Sequence, residues 1–127
     1  MPAKPLISFI VYNHDAEPAI LSQCLDSITQ LSLASADREI IVVDNGDSTE
    51  ALNILLGKDD EITYIHQRYM GVSAAYSMGL RMSTARYVQF VGSHDLLIRA
   101  PYEHCLDIAR YHNPDVVFYK NTDNPDN

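Results

Sequence analysis

The sequence predicts an α/β fold: a doubly wound, mostly parallel sheet of about five strands with helices on both faces. Three observations carry that expectation. Short β-branched apolar runs recur along the chain, each run ends in turn chemistry, and the stretches between them have helical spacing. With 127 residues and 46% hydrophobic content the chain can bury one core, so residues 1–127 read as a single domain.

The first apolar run, Leu6–Tyr12, predicts a strand that ends at Asn13. Leu21, Cys24, Leu25, Ile28 and Leu31 then recur at helical spacing behind Pro18, which a first helical turn tolerates. Glu39–Asp44 is the second strand and runs into Asn45-Gly46. Thr49–Leu56 forms a short helix closed by Gly57, and Ile62–His66 is the third strand. Val72, Ala75, Gly79 and Met82 make a stripe of mostly small residues that lets a helix sit close on the sheet. Tyr87–Val91 is the fourth strand. A final helix over about Pro101–Tyr111 carries Tyr102, Cys105, Leu106 and Ala109, and Val116–Tyr119 is the fifth strand. The polar tail, residues 121–127, contains Pro125 and is expected to fray. Alternation of this kind gives a Rossmann-like arrangement, in which ligands bind beyond the carboxyl ends of the strands.

Composition narrows the partners. A net charge of −8 with only nine scattered Lys and Arg disfavours nucleic acid, because phosphate binding needs a dense basic patch. Cys24 and Cys105 share no CxxC spacing and fall at apolar helical positions, which reads as buried free thiols. The Met1–Pro5 lead and the short run after it lack the length and flanks of a signal peptide or membrane span, so a cytoplasmic protein with no span is expected.

Polar groups gather where the fold puts ligands: Tyr12-Asn13 in the first loop, Asp44-Asn45-Gly46 in the second, and Gly92-Ser93-His94-Asp95 in the fourth. Several blocks around these loops stand in a recognisable order: Ile7 to Asn13, Cys24-Leu25-Asp26-Ser27-Ile28, Glu39 through Gly46, and Gly71-Val72-Ser73-Ala74-Ala75 through Gly79-Leu80. Together they resemble glycosyltransferase family 2. The resemblance runs from about Leu6 to Asp95.

That resemblance implies a GT-A fold, here its nucleotide-binding half without the acceptor-binding half. It implies a nucleotide-diphospho-sugar donor, with Tyr12, Asn13, Asp44 and Asn45 around the nucleoside and Tyr76 nearby. An acidic DxD segment would grip the diphosphate through Mg²⁺ or Mn²⁺, and a sugar or lipid-linked acceptor hydroxyl would displace the diphosphate with inversion. Polysaccharide or glycoconjugate synthesis is the expected setting. A divalent cation suits that chemistry because the leaving diphosphate gains negative charge in the transition state.

The chain departs from the family pattern at informative places. The DxD triplet falls on Gly92-Ser93-His94, which leaves His94 and the following Asp95 as the metal candidates. Tyr76-Ser77 stands where the family usually has Arg-Asn. Ile10 replaces a Pro, and Asp47 is an extra residue after Gly46.

Plainer readings stand beside these. Asp44 before Asn-Gly suits a turn, and Tyr12 suits the rim of a core. His94 and Asp95 suit a capping turn before Leu96-Leu97, and Gly71, Ala74, Ala75 and Gly79 suit close helix packing. A catalytically inactive relative, acting as a nucleotide-binding or protein-interaction module, is therefore the alternative function. A receiver-type signalling domain fits poorly, because Tyr12-Asn13 supplies no carboxylate pair after the first strand. An uncovered sheet edge beyond the last strand would be met by further chain or by a second copy in a homodimer.

Overall fold

A computed structural model describes residues 4–58, 62–68 and 71–115. The chain builds β1 (Ile7–Asn13), α1 (Pro18–Thr29), a short 3₁₀ turn (Ser35–Asp37), β2 (Arg38–Asp44), α2 (Glu50–Leu56), β3 (Thr63–His66), α3 (Val72–Met82), β4 (Tyr87–Gly92) and α4 (Arg99–His112). Each of the first four predicted strands appears within a residue of its expected ends. The fifth, Val116–Tyr119, and the tail 121–127 lie outside the described residues.

The four described strands form one parallel sheet in the order β3-β2-β1-β4. β1 and β2 are its centre, and both are almost continuously apolar because both of their faces are covered. Alternation along β1 divides the core in two. Ile7, Phe9 and Val11 join Ile40, Val42 and Val91 in a layer with α1, α2 and α4, where the Phe9 and Tyr102 rings lie 5.9 Å apart. Ile10, Ile41 and Val43 face the other way and pack on Ala75 of α3. The sheet is therefore doubly wound, with helices on both faces.

Three details of the helices differ from expectation. α1 ends at Thr29, so Leu31 lies beyond the helix, although its side chain is still buried. On α3 only Ala75 and Gly79 of the expected stripe are buried, while Val72 and Met82 are 45% and 49% exposed. The helix is placed so close to the sheet that only its smallest residues fit beneath it. Cys24 is a buried free thiol as expected, whereas Cys105 on the flank of α4 is only half-buried.

Candidate functional site

Because every strand is parallel, the carboxyl ends of β1, β2, β3 and β4 open on one edge of the sheet. Asn13 and Asp44 are register partners at the ends of the two central strands, and both are buried. Asn13 Nδ2 donates to Asp44 Oδ1 at 3.2 Å, and the Gly46 N–H donates to the same oxygen at 3.0 Å. The Tyr64 hydroxyl donates to Asp44 Oδ2 at 2.6 Å. With 1% exposure, the Asp44 carboxylate is the hub that ties β1, β2 and β3 together at this edge. Burial pushes the Tyr64 hydroxyl well above the usual tyrosine range, and its hydrogen bond to Asp44 and the charge of that carboxylate add to the effect. The phenol therefore stays a donor.

The loops are fastened to one another as well. The Asn45 N–H donates to the Asn13 carbonyl at 2.9 Å, and Asn45 Nδ2 donates to the Gly71 carbonyl at 3.3 Å. The Gln67 N–H donates to the Asp44 carbonyl at 2.9 Å, and His66 Nε2 bonds to the Gly46 carbonyl at 2.9 Å. Asp15 reaches across from the first loop, where its Oδ1 accepts the Ser48 N–H at 3.2 Å. A Cβ on Gly46 would stand 2.2 Å from that same Asp15 oxygen, so this approach of the two loops requires glycine.

The loop after β4 is built differently from the expected capping turn. Asp95 reaches backward: its Oδ2 accepts the Gly92 N–H at 2.9 Å, and its own N–H donates to the Gly92 carbonyl at 2.9 Å. A Cβ at position 92 would meet Asp95 Oδ2 at 3.1 Å, so the carboxylate of Asp95 fills the space beside Gly92. Beneath the loop, Cys24 Sγ donates to the Gly92 carbonyl at 3.6 Å and Ser27 Oγ accepts the Leu97 N–H at 3.1 Å. Burial, aided by the charge of Asp95, pushes the Cys24 thiol up to about 12. His94 and Asp95 are both exposed. Among the described residues no three His, Cys, Asp or Glu side chains converge as a metal cluster.

Tyr12 and Tyr76 lie on the α3 face of the sheet rather than with the Asn13–Asp44 hub. Their rings are 6.1 Å apart, and Tyr76 stacks at 4.6 Å on Phe90 of β4. The structure thus joins Asn13, Asp44 and Asn45 directly, sets Tyr12 and Tyr76 in an aromatic cluster, and leaves His94 and Asp95 on the outer loop. Tyr64, Gln67 and the exposed Arg68 also belong to the strand-end edge and have no counterpart among the residues singled out from sequence. Their signal was the position of β3: residues at and just after its end were bound to reach the same edge.

The sequence profile of glycosyl transferase family 2 matches residues 8–127. The chain belongs to that family. An uncharacterized glycosyltransferase of Rickettsia prowazekii is 27% identical over 124 residues, covering 91% of this chain and 36% of the relative. A poly(ribitol-phosphate) β-N-acetylglucosaminyltransferase of Staphylococcus aureus is 27% identical over 104 residues, covering 79% of this chain and 32% of the relative.

Among solved structures, residues 1–349 of TarS from S. aureus superpose with a TM-score of 0.75 at 17% identity, covering 85% of this chain and 33% of that one. A mannosyltransferase of Pyrobaculum calidifontis, solved with GDP-Man and Mn²⁺, gives a TM-score of 0.68 at 20% identity, covering 85% of this chain and 32% of that one. The fold of this family 2 chain is thus that of the GT-A glycosyltransferases, and the chain spans about a third of the length of these relatives. Among the described residues no helix is long and apolar enough to cross a membrane.

Proposed function

We propose that this family 2 chain is the donor-binding part of a glycosyltransferase, holding a nucleotide-diphospho-sugar at the carboxyl edge of its sheet. The observation that carries the reading is the buried Asn13–Asp44–Tyr64 hub, which fixes three loops in one place where a parallel sheet receives its ligands. In this reading Asn13, Asn45 and Gln67 line the base, and Asp44 holds them in position. Tyr12 and Tyr76 wall the site on the α3 side. The exposed Arg68 and His94 face the charge of the diphosphate.

A divalent cation fits the loop after β4 in a limited way. Asp95 Oδ2 is taken by the Gly92 N–H, so Asp95 Oδ1 and the His94 imidazole are what the chain offers. One carboxylate is enough for Mg²⁺ or Mn²⁺ when a bound diphosphate and water complete the oxygen shell. Bound there, the cation would offset charge on the leaving group. In the transfer itself the acceptor oxygen forms its bond to the anomeric carbon while the bond to the diphosphate breaks. The configuration inverts, the electron pair leaves with the diphosphate, and the acceptor proton passes to a base.

The missing carboxylates at Gly92 and His94 favour a second reading, in which the chain binds a nucleotide without transferring sugar. Calorimetric titration with UDP, GDP and dTDP, each with and without Mn²⁺, tests both. Metal-dependent binding is expected if Asp95 and His94 take part. Metal-independent binding supports the second reading, and no binding under any condition ends both. Asp44→Ala should weaken nucleotide affinity by about 1–2 kcal/mol. Unchanged affinity in a folded variant would remove Asp44 from the site.

A further inference from the structure

The loop between β4 and α4 is tied to α1 at both of its ends. At the near end the Cys24 thiol donates to the Gly92 carbonyl at 3.6 Å, and at the far end the Leu97 N–H donates to Ser27 Oγ at 3.1 Å. Cys24 and Ser27 lie about one helical turn apart and so share one face of α1. The helix is a firm support for this purpose. Its Leu21, Leu25 and Ile28 are fully buried, and Lys58 after α2 clamps its flank, with Nζ donating to Asp26 Oδ1 at 2.7 Å and to Ser22 Oγ at 3.0 Å. Between the two ties stand His94 and Asp95, both exposed. Helix stability does not account for Ser27. Serine is a poorer helix former than alanine, and its Oγ donates to the Cys24 carbonyl at 2.6 Å, a bond back along the helix that tends to weaken it. With its proton directed there, the hydroxyl turns a lone pair to the Leu97 N–H, and the loop is what gains.

We propose that Ser27 is a positioning residue: acting through Leu97, it holds His94 and Asp95 where a cation-bound diphosphate meets them, an inference that rests on the nucleotide reading above. A loop that offers a cation one free carboxylate oxygen and one imidazole gives it few ligands, so the placement of those few counts for more than in a site rich in carboxylates. Fixed ends limit the conformations that the exposed pair must give up when a ligand binds, and releasing one end returns that freedom. The nucleoside side of the site is independent of this tie, because Asn13, Asp44 and Tyr64 hold one another across β1, β2 and β3. Loss of Ser27 Oγ should therefore weaken the metal-dependent part of binding and spare the rest.

Titration with GDP, UDP and dTDP, each with and without Mn²⁺, of the unaltered 127-residue chain, Ser27→Ala and Ser27→Thr tests this directly. With Mn²⁺ present, Ser27→Ala is expected to weaken binding of the preferred nucleotide by about three- to tenfold, the loss of one hydrogen bond, and to leave the metal-free affinity unchanged. Alanine suits a helix interior at this half-buried position, so the variant folds. Ser27→Thr keeps the hydroxyl and should recover most of the loss; no recovery would overturn the role of the hydroxyl. An equal loss with and without Mn²⁺, or an undiminished gain from Mn²⁺ in Ser27→Ala, overturns the proposal and makes Ser27 a structural residue. An unaltered chain that binds nucleotide with no gain from Mn²⁺ overturns it as well, yet leaves the nucleotide reading standing. Failure of every nucleotide to bind removes both.

Discussion

Tyr64 and Asp44 show how a charged group is kept at the end of a buried strand. A carboxylate at 1% exposure is tolerable only if donors replace its water, and Asp44 receives them from Asn13, Gly46 and Tyr64. Tyr64→Phe removes one donor and leaves Oδ2 buried without it. The variant should lose about 1–2 kcal/mol of stability, read as a lower urea midpoint at an unchanged slope. No change in midpoint would mean that water reaches Asp44 Oδ2 and that the hub is looser than its distances indicate. At this scale the sequence was partly legible. Asp44, Asn13 and Asn45 stand out because they end apolar runs, whereas the role of Tyr64 depends on β3 lying beside β2.

At the scale of elements, α3 is governed by how near it lies to the sheet. A Cβ built on Gly79 would be 2.3 Å from Ile10 Cγ2, and Ile10 is fully buried on a central strand with a stiff, branched side chain. Gly79→Ala gains about 1 kcal/mol of helix propensity but forces an overlap that typically costs about 1–3 kcal/mol or more. The overlap is severe enough to win. Thermal unfolding should shift down, and a rise in midpoint would show that α3 can slide outward at little cost. Small residues at helical spacing were readable as close packing. Which members of the stripe touch the sheet was not, because the residues at its two ends, Val72 and Met82, point outward. The loop after β4 follows the same pattern. Its residues were identifiable, but the backward turn of Asp95 onto Gly92 depends on α1 supporting the loop through Cys24 and Ser27.

Across the whole molecule, three acidic groups held in their neutral form, the Cys24 thiol and the Tyr64 and Tyr76 phenols, make the fold sensitive to base. Burial raises the Cys24 thiol and the Tyr76 phenol, and burial with the Asp44 hydrogen bond raises the Tyr64 phenol. A group raised in the folded state contributes stability that is fully present below its unfolded value and lost as pH climbs through the folded one. Stability should therefore hold through neutral pH and decline above about pH 9–10, where the unfolded thiol and then the unfolded phenols ionise. Denaturant melts across that range would show it, and Tyr64→Phe should flatten the upper part of the decline. A profile that falls equally in the variant would assign the loss to other groups.

The sequence by itself determined the alternation of strands and helices, the two-sided burial of β1 and β2, and the loops that carry polar residues, because each depends on spacing along a single segment. It also carried the family, since the matching blocks are contiguous stretches. The tertiary structure decided the rest. The strand order β3-β2-β1-β4 brings Tyr64 and Gln67 to the Asn13–Asp44 edge, and the packing of α3 on the sheet sets Tyr76 beside Tyr12 and Phe90. Which buried oxygens find a partner and which stay unpaired depends on neighbours distant in the chain, and only the packing of the strands and helices supplies them.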